Sequence, residues 1–343
     1  MDLKSLTPYK DFLFIAEAGV NHEGSINEAI KMVEAASKAG ANIIKFQAYN
    51  PNKLAHKNYA KAYWDQNEEK TNNQHALFSK YSTFSLNEWK RVKKACEENN
   101  IFFWLSIFDL ELARNLYQIC DGIKVASGDI TFDRLHEFIL SLNMPSIFST
   151  GASSIDEISD LDEKIRDFNA ISLFCRLSYP TRDDNAEMGM FPSLAEKFPS
   201  MRGVSDHCRP GNGESVILAF NLGATVVEKH FTLTPNIEGN DHYHSITPEV
   251  LSSTINSIKR MADIYKVSSE IIPTQTEIPA RKGARRSLFF TNDLTKGHVV
   301  SESDLIELRP VIGVEANLIS KVIGKRLLNN VKSNDAVKYE DLI

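Results

Sequence analysis

The sequence predicts an α/β fold: a (β/α)8, or TIM, barrel followed by a small β-rich domain, within 343 residues. Two observations carry this. Eight apolar, strand-like runs stop at residues able to do chemistry, at Glu17, Gln47, Ser106, Asp129, Thr150, Tyr179, His207 and His230, and a helix-like segment follows seven of the eight. In a closed β/α barrel the strand ends and the loops after them form the active-site rim, so one pattern predicts fold and site together. Second, a barrel takes about 250 residues, which leaves room for one small extra unit.

The elements follow in order. FLFIAEAG is the first strand; NHEGS turns the chain into NEAIKMVEAASKAG, where Ile30, Val33, Ala36 and Ser37 share a helical face and Gly40 closes it. NIIKFQAY precedes the helix SLNEWKRVKKACEENN, with an unpatterned polar insertion near Lys57 to Gln74 between them. IFFWLSIF then precedes DLELARNLYQIC, GIKVASGD precedes FDRLHEFILSLN, and SIFSTG precedes SIDEISDLDEKIRDF. The sixth strand, AISLFCRL, enters a loop with Pro180, Asp183, Asp184 and Met188 and has no helix pattern behind it. MRGVSDH with GESVILAFNLG, and TVVEKHFT with PEVLSSTINSIKRMADIY, fill the barrel, which is assigned residues 1–266. Residues 267–282 are polar and proline-containing and read as a linker. In 283–343 the short β-like pieces RRSLFFT, VIGKRLLN and DAVKYEDL alternate with turn signals such as TKGH and KSND. A unit that small has little core of its own and gains from docking.

Composition narrows the function classes. With 42% hydrophobic and 24% charged residues the chain reads as a globular protein, and runs such as AISLFC are too short to span a membrane. The start MDLKSLTPYKD carries no secretory pattern, so a cytoplasmic location is expected. Net charge of -6 and no Lys/Arg run longer than two argue against a nucleic-acid partner. Cys96, Cys120, Cys175 and Cys208 lack CxxC spacing and read as reduced packing thiols, Cys208 beside His207 being the one to watch.

His207 and His230 end the seventh and eighth strands, and neighbouring strands lie about 4.8 Å apart, so both imidazoles can reach one divalent metal ion. Asp206 and Glu228, close in sequence, would orient the ligands or join a water shell; the alternative is a pair of hydrogen-bonded core histidines. Lys45, Lys124 and Ser127, with the hydroxyls of Ser106, Ser149, Thr150 and Ser205 and the small Gly128 and Gly151, suit a phosphate and a carboxylate. A lysine inside a strand needs an anion or a carboxylate partner, so the alternatives are a salt bridge from Lys124 to Asp129 or Glu17, and a Schiff base on Lys124. Glu17 in EAGVNHEG is a candidate acid or base; Glu23 is explained by the nearby helix N-terminus, and Asn21 and His22 stay open.

EAGVNHEGS, KFQ, KVASGD, FSTG, SYPT, VSDH and VEKHFT occur in this order, with RRSL, KG and LRP in the tail. Together they resemble the sialic acid synthase family, N-acetylneuraminate synthases and the related legionaminic and pseudaminic acid synthases, over nearly the whole chain. The resemblance implies a C-terminal antifreeze-like (SAF, β-clip) domain. It also implies a domain-swapped homodimer in which each tail covers the other subunit's site. The implied reaction condenses phosphoenolpyruvate with an open-chain N-acetylmannosamine-like sugar, giving a nine-carbon 2-keto sugar acid and phosphate. It implies a divalent metal on His207 and His230, with Mn2+ expected and Mg2+ or Co2+ as alternatives, and Glu17 as proton carrier. Lys45, Ser106, Lys124, Ser127, Ser149 and Ser205 match positions around phosphoenolpyruvate. Gln47, Asp129, Tyr179 and Asp241 match positions around the sugar, and Arg309 matches a tail arginine that reaches the sugar in the other subunit. The sequence departs from the pattern where STPFD is frequent (Leu105 to Asp109), at Leu177 for an asparagine, at Asp129 for a glutamate, and at Val311 in RPV for RPG. Rival readings are a Schiff-base aldolase on Lys124 and a non-catalytic carbohydrate-binding protein.

Overall fold

Eight parallel strands close into a barrel in sequence order. They are β1 (Leu13–Gly19), β2 (Ile43–Ala48), β3 (Phe102–Ile107), β4 (Gly122–Val125), β5 (Ser146–Ser149), β6 (Ala170–Cys175), β7 (Met201–Asp206) and β8 (Val226–His230). The structure, a computed structural model, describes residues 1–81 and 84–343. It separates into two compact units, Met1–Lys266 and Val267–Ile343.

Alternation along each strand turns sequence into layers, because residues two apart face the same side. Ile15, Ile43, Trp104, Ile147, Ile171, Leu173 and Val226 fill the bottom of the barrel together with Leu3. Gly122 is required there, since a Cβ would lie 2.2 Å from the Trp104 ring. Two residues further along, the inward positions become Glu17, Lys45, Ser106, Lys124, Ser149, Cys175, Ser205 and Glu228. The barrel therefore has an apolar base and an ionisable layer above it.

A helix follows every strand, including the sixth, where Phe191–Lys197 packs Phe191 and Leu194 inward. Seven residues with a proline in the first turn are too few to display a period, so the sequence pattern missed it. In the first helix (Ile26–Ala39) Ser25 caps the amide of Glu28 and Gly40, at φ 96°, ends it; Gly40 suits this left-handed position because it has no Cβ. The buried face is Ala29, Met32, Val33, Ala36 and Ala39, with Ile30 and Ser37 at its margins. The rim residues Asp129, Thr150, Tyr179 and His207 lie just past their strands. At β4 the Asp129 amide donates to Ala126 and turns the chain into a 3-10 helix at Ser127–Asp129.

The second unit pairs β9 (Ser287–Phe290) with β10 (Leu305–Leu308) antiparallel, and single bridges such as Leu294 to Val331 and Val299 to Arg326 extend it. Leu288, Phe290, Val300, Leu305, Val314, Val322, Leu327, Val331 and Val337 form its core. Helix Glu277–Ala284 occupies part of the stretch that reads as linker. No helix among the described residues is long and apolar enough to cross a membrane.

Candidate active site

A cavity of about 360 Å³ opens at the carboxyl ends of the barrel strands, and it is lined by thirteen of the fourteen residues that the family resemblance assigns to the reaction. Arg309 is the fourteenth; it is an exposed residue of the C-terminal unit. Thr150 does not line the cavity, and its hydroxyl donates to the Leu173 carbonyl.

The cavity floor is an ionic network. Lys45 is ion-paired to Glu17 and donates to Ser106 Oγ at 2.8 Å, with Glu228 Oε2 at 3.6 Å. Lys124 Nζ donates to Glu228 Oε1 at 3.2 Å, and Ser205 Oγ donates to the same oxygen at 3.0 Å. Lys124 thus pairs with Glu228, not with Asp129 or Glu17 as sequence reasoning offered. The register places Glu228 one strand from Ser205 on the inward side, while Asp129 has left its strand. Burial alone would push the Glu228 carboxyl up, but Lys124, Lys45 and His230 together hold it down at about 2. Burial lowers Lys124, against the opposing pull of Glu228. The floor thus sets two lysines against two carboxylates. Above them Gln47 Nε2 donates to Glu17 Oε1 at 3.0 Å, and Gly151 N donates to Ser127 Oγ at 2.9 Å. Ser149 Oγ is buried with no hydrogen-bond partner among the described residues, an orphan hydroxyl facing the floor.

Histidines form one wall. His207 Nδ1 donates to the Arg176 carbonyl at 2.8 Å, which fixes the proton there and leaves Nε2 with its lone pair. The His230 ring centre lies 5.4 Å from that of His207, and His230 Nδ1 stands 3.3 Å from Asp241 Oδ2 without hydrogen-bond alignment. His230, Asp241 and His244 each offer a ligand atom, all within 4.8 Å of one another. His244, absent from the sequence-derived set, is fully buried behind this wall, and neither ring nitrogen has a hydrogen-bond partner among the described residues. A donor set of imidazoles and a carboxylate, with orphaned nitrogens, fits a divalent cation.

Asp206 does not join this cluster. It points to the outside of the barrel, where Lys229 Nζ, Ser215 Oγ and the Cys208 amide donate to it at 2.5, 2.6 and 2.9 Å. Alternation along β7 explains this: Ser205 and His207 face in, so Asp206 must face out. Cys208 is likewise remote, its thiol pushed up to about 12 by burial and then by Asp206. The cysteine at the site is Cys175, with Sγ 3.8 Å from His207 Nδ1.

A further part of the lining comes from the excursion between β2 and β3, whose middle reads in sequence as an unpatterned insertion. It contributes Tyr49, Leu54, Tyr63, Trp64, Glu69, Gln74, Leu77 and Phe78. Glu69 anchors it: this buried carboxylate accepts from Lys80 Nζ at 2.7 and 2.9 Å, Thr71 N at 2.8 Å and Asn240 N at 3.0 Å. Asn240 precedes Asp241. Asn21 ties the first loop to the same region, donating to Phe231 O and Ser245 Oγ at 3.0 Å, while His22 packs on Phe84 and is held at about 4 by burial. Glu23 accepts from Tyr81 Oη at 3.2 Å, and Ser25, not Glu23, caps the following helix.

Fold and site together define a β/α-barrel enzyme with an ionic, hydroxyl-rich floor and a histidine–carboxylate wall. The NeuB family pattern matches residues 32–269 and the SAF domain pattern matches residues 285–343. The chain belongs to the NeuB family. It is 31% identical over 337 residues to the N,N'-diacetyllegionaminic acid synthase of Legionella pneumophila, covering 96% of this chain and 94% of that one. It is 27% identical over 355 residues to a pseudaminic acid synthase of Campylobacter jejuni, covering 99% of both. Among solved structures, the N-acetylneuraminic acid synthetase of Leptospira borgpetersenii in complex with citrate superposes with a TM-score of 0.68 at 28% identity, covering 80% of this chain and 92% of that one.

Proposed function

We propose that the enzyme condenses phosphoenolpyruvate with the open-chain aldehyde of a 2-acylamino hexose or a 2,4-diamido trideoxy relative, releasing phosphate and a nine-carbon 2-keto sugar acid. The observation that carries this reading is the Lys45, Lys124, Glu17 and Glu228 floor beside a histidine wall in one cavity. Support for the sugar class comes from the legionaminic and pseudaminic acid synthases among the relatives. Leu54, Leu77, Phe78, Phe108 and Leu177 line part of the same cavity. Such side chains offer no hydrogen bonds to hydroxyls and suit acyl methyls and a deoxygenated carbon.

In this reading the phosphate and carboxylate of phosphoenolpyruvate take the lysine ammoniums and the hydroxyls of Ser106, Ser127, Ser149 and Ser205, competing with Glu17 and Glu228 for the lysines. His207 and His230 would hold a divalent ion, Mn2+ being our expectation, which supplies Lewis-acid polarisation of the aldehyde oxygen. Carbon 3 of the enolpyruvate bonds to the aldehyde carbon, water adds to carbon 2, and the carbon–oxygen bond to phosphate then breaks. Glu17, held by Gln47 and Lys45, carries the proton that water loses. Gln47, Asp129, Tyr179 and Asp241 orient the sugar. We place the reaction in the cytoplasm and in a homodimer whose tails are exchanged, each bringing Arg309 to the other subunit's sugar.

Incubating the purified protein with phosphoenolpyruvate, Mn2+ and a panel of such sugars should release phosphate only when the right sugar is present. Release that no sugar stimulates would overturn the proposal. His207→Ala and His230→Ala should abolish release with the far-ultraviolet circular dichroism unchanged. Trapping of substrate by borohydride, with activity insensitive to chelators, would favour the Schiff-base alternative on Lys124.

A further inference from the structure

His244 is a buried imidazole with nothing to do in the reaction as described. Both ring nitrogens are sealed from solvent and lack hydrogen-bond partners among the described residues, a costly arrangement unless a ligand supplies what the protein does not. Its surroundings show what that ligand would be. The ring centre lies 4.5 Å from that of His230 and 6.1 Å from that of His207, and Nε2 stands 3.8 Å from Asp241 Oδ1. An imidazole nitrogen binds a divalent ion at about 2.1 Å, so rings sharing one ion stand within roughly 6.5 Å of each other. All three histidine pairs meet that limit, the third being His207 and His230 at 5.4 Å.

The backbone holds this arrangement firmly. Ile246 N donates to the His230 carbonyl at 2.7 Å and Thr232 N donates to the Ile246 carbonyl at 3.1 Å, so the segment bearing His244 runs alongside the end of β8. Ser245 Oγ donates to the Asp241 carbonyl at 2.5 Å, which locks Asp241 into the same turn. The donor atoms of His230, Asp241 and His244 lie within 4.8 Å of one another. Donors on one ion are at most about 4.2 Å apart, so shifts of roughly half an ångström bring these three onto one ion; His207 lies outside this group and joins it through its ring, 5.4 Å from that of His230.

We propose that His244 is a third imidazole ligand of the metal centre, closing it from behind while His207, His230 and Asp241 leave the cavity side open to substrate oxygens. The proposal rests on the metal-dependent reading above. It gives this centre more nitrogen donors than a two-histidine site, which favours Co2+ or Zn2+ over Mg2+ in binding.

Metal-free full-length protein should be titrated with Co2+, following the visible ligand-field absorption and the hyperfine-shifted imidazole N–H resonances. The unsubstituted protein should show three such ring signals. His244→Phe and His244→Gln should each weaken Co2+ binding at least tenfold, since losing even a group that only supports a ligand costs that much, with circular dichroism unchanged. Two ring signals, with wild-type affinity in a folded His244 variant, would overturn the proposal while leaving the His207 and His230 reading intact. If both variants fail to fold, the count of ring signals in the unsubstituted protein decides alone. If the unsubstituted protein binds neither Co2+ nor Mn2+, the metal-dependent reading itself falls, and this proposal with it.

Discussion

Asp129 is a carboxylate whose surroundings oppose its charge: burial pushes it up to about 6, and its Oδ2 has no hydrogen-bond partner among the described residues. A raised folded-state value means the ionised form is disfavoured in the fold. Below about pH 4 both folded and unfolded chains keep the proton and the cost is absent. It grows as pH climbs from about 4 to 6 and is constant above, reaching at most about 3 kcal/mol. Asp129→Asn should therefore be more stable than the parent at pH 7.5 in urea melts, with the gain shrinking toward pH 4.5. A stability difference that does not change with pH would exclude the buried carboxylate as its source. If Asp129 accepts sugar hydroxyls, the KM for sugar should also rise in the parent as pH falls below 6. At this scale the period of two made most of the cavity legible, since strand position alone fixes which side chains face in. It also exposes the error at Asp206, which adjoins His207 in sequence yet faces the other side. His244 was out of reach, because its neighbours Asp241 and His230 meet it through a turn that no periodic pattern describes.

At the scale of elements, regular segments were readable and the excursion between β2 and β3 was not. Its order comes from a few long-range contacts, such as Asn240 N to Glu69 Oε2, Asp65 N to the Tyr179 carbonyl at 3.2 Å, and the ion pair of Arg209 with Glu68. Sequence windows register local period, and these partners lie on the loops after β6, β7 and β8. The same contacts make Glu69 the fastening point of a cavity wall. Glu69→Ala removes the acceptor for Lys80, Thr71 and Asn240 at once and strands one buried amide, a loss of about 1–3 kcal/mol in local stability. The expected result is a KM for sugar raised roughly tenfold, since 1.4 kcal/mol is a factor of ten. The KM for phosphoenolpyruvate should hardly move, because its floor lies on the strands. Faster proteolysis within residues 57–74 should accompany the change. Equal rises in both KM values would mean the whole barrel rim had loosened and would exclude a local anchor.

For the whole molecule, the reaction proposed above puts Arg309 at the sugar of the other subunit. It belongs to the C-terminal unit and is exposed. That unit has a core of only nine buried apolar side chains, a size at which docking adds materially to stability. If tails are exchanged in a homodimer, each active site takes His207 from one chain and Arg309 from the other. His207→Ala and Arg309→Ala proteins, each inactive or weak alone, should then complement one another after co-refolding. A mixed dimer would pair the intact barrel of the Arg309→Ala chain with the intact tail of the His207→Ala chain, and its second site would carry both lesions. Random equal mixing makes half of the dimers mixed and half of their sites intact, so activity should recover to about a quarter of the parent level. Were the tail to serve its own barrel, every site would keep one lesion and no recovery above the parental residues of activity would follow. Size-exclusion chromatography of the mixture separates that outcome from a failure to form dimers at all, which would remove the exchange of tails from the proposed mechanism.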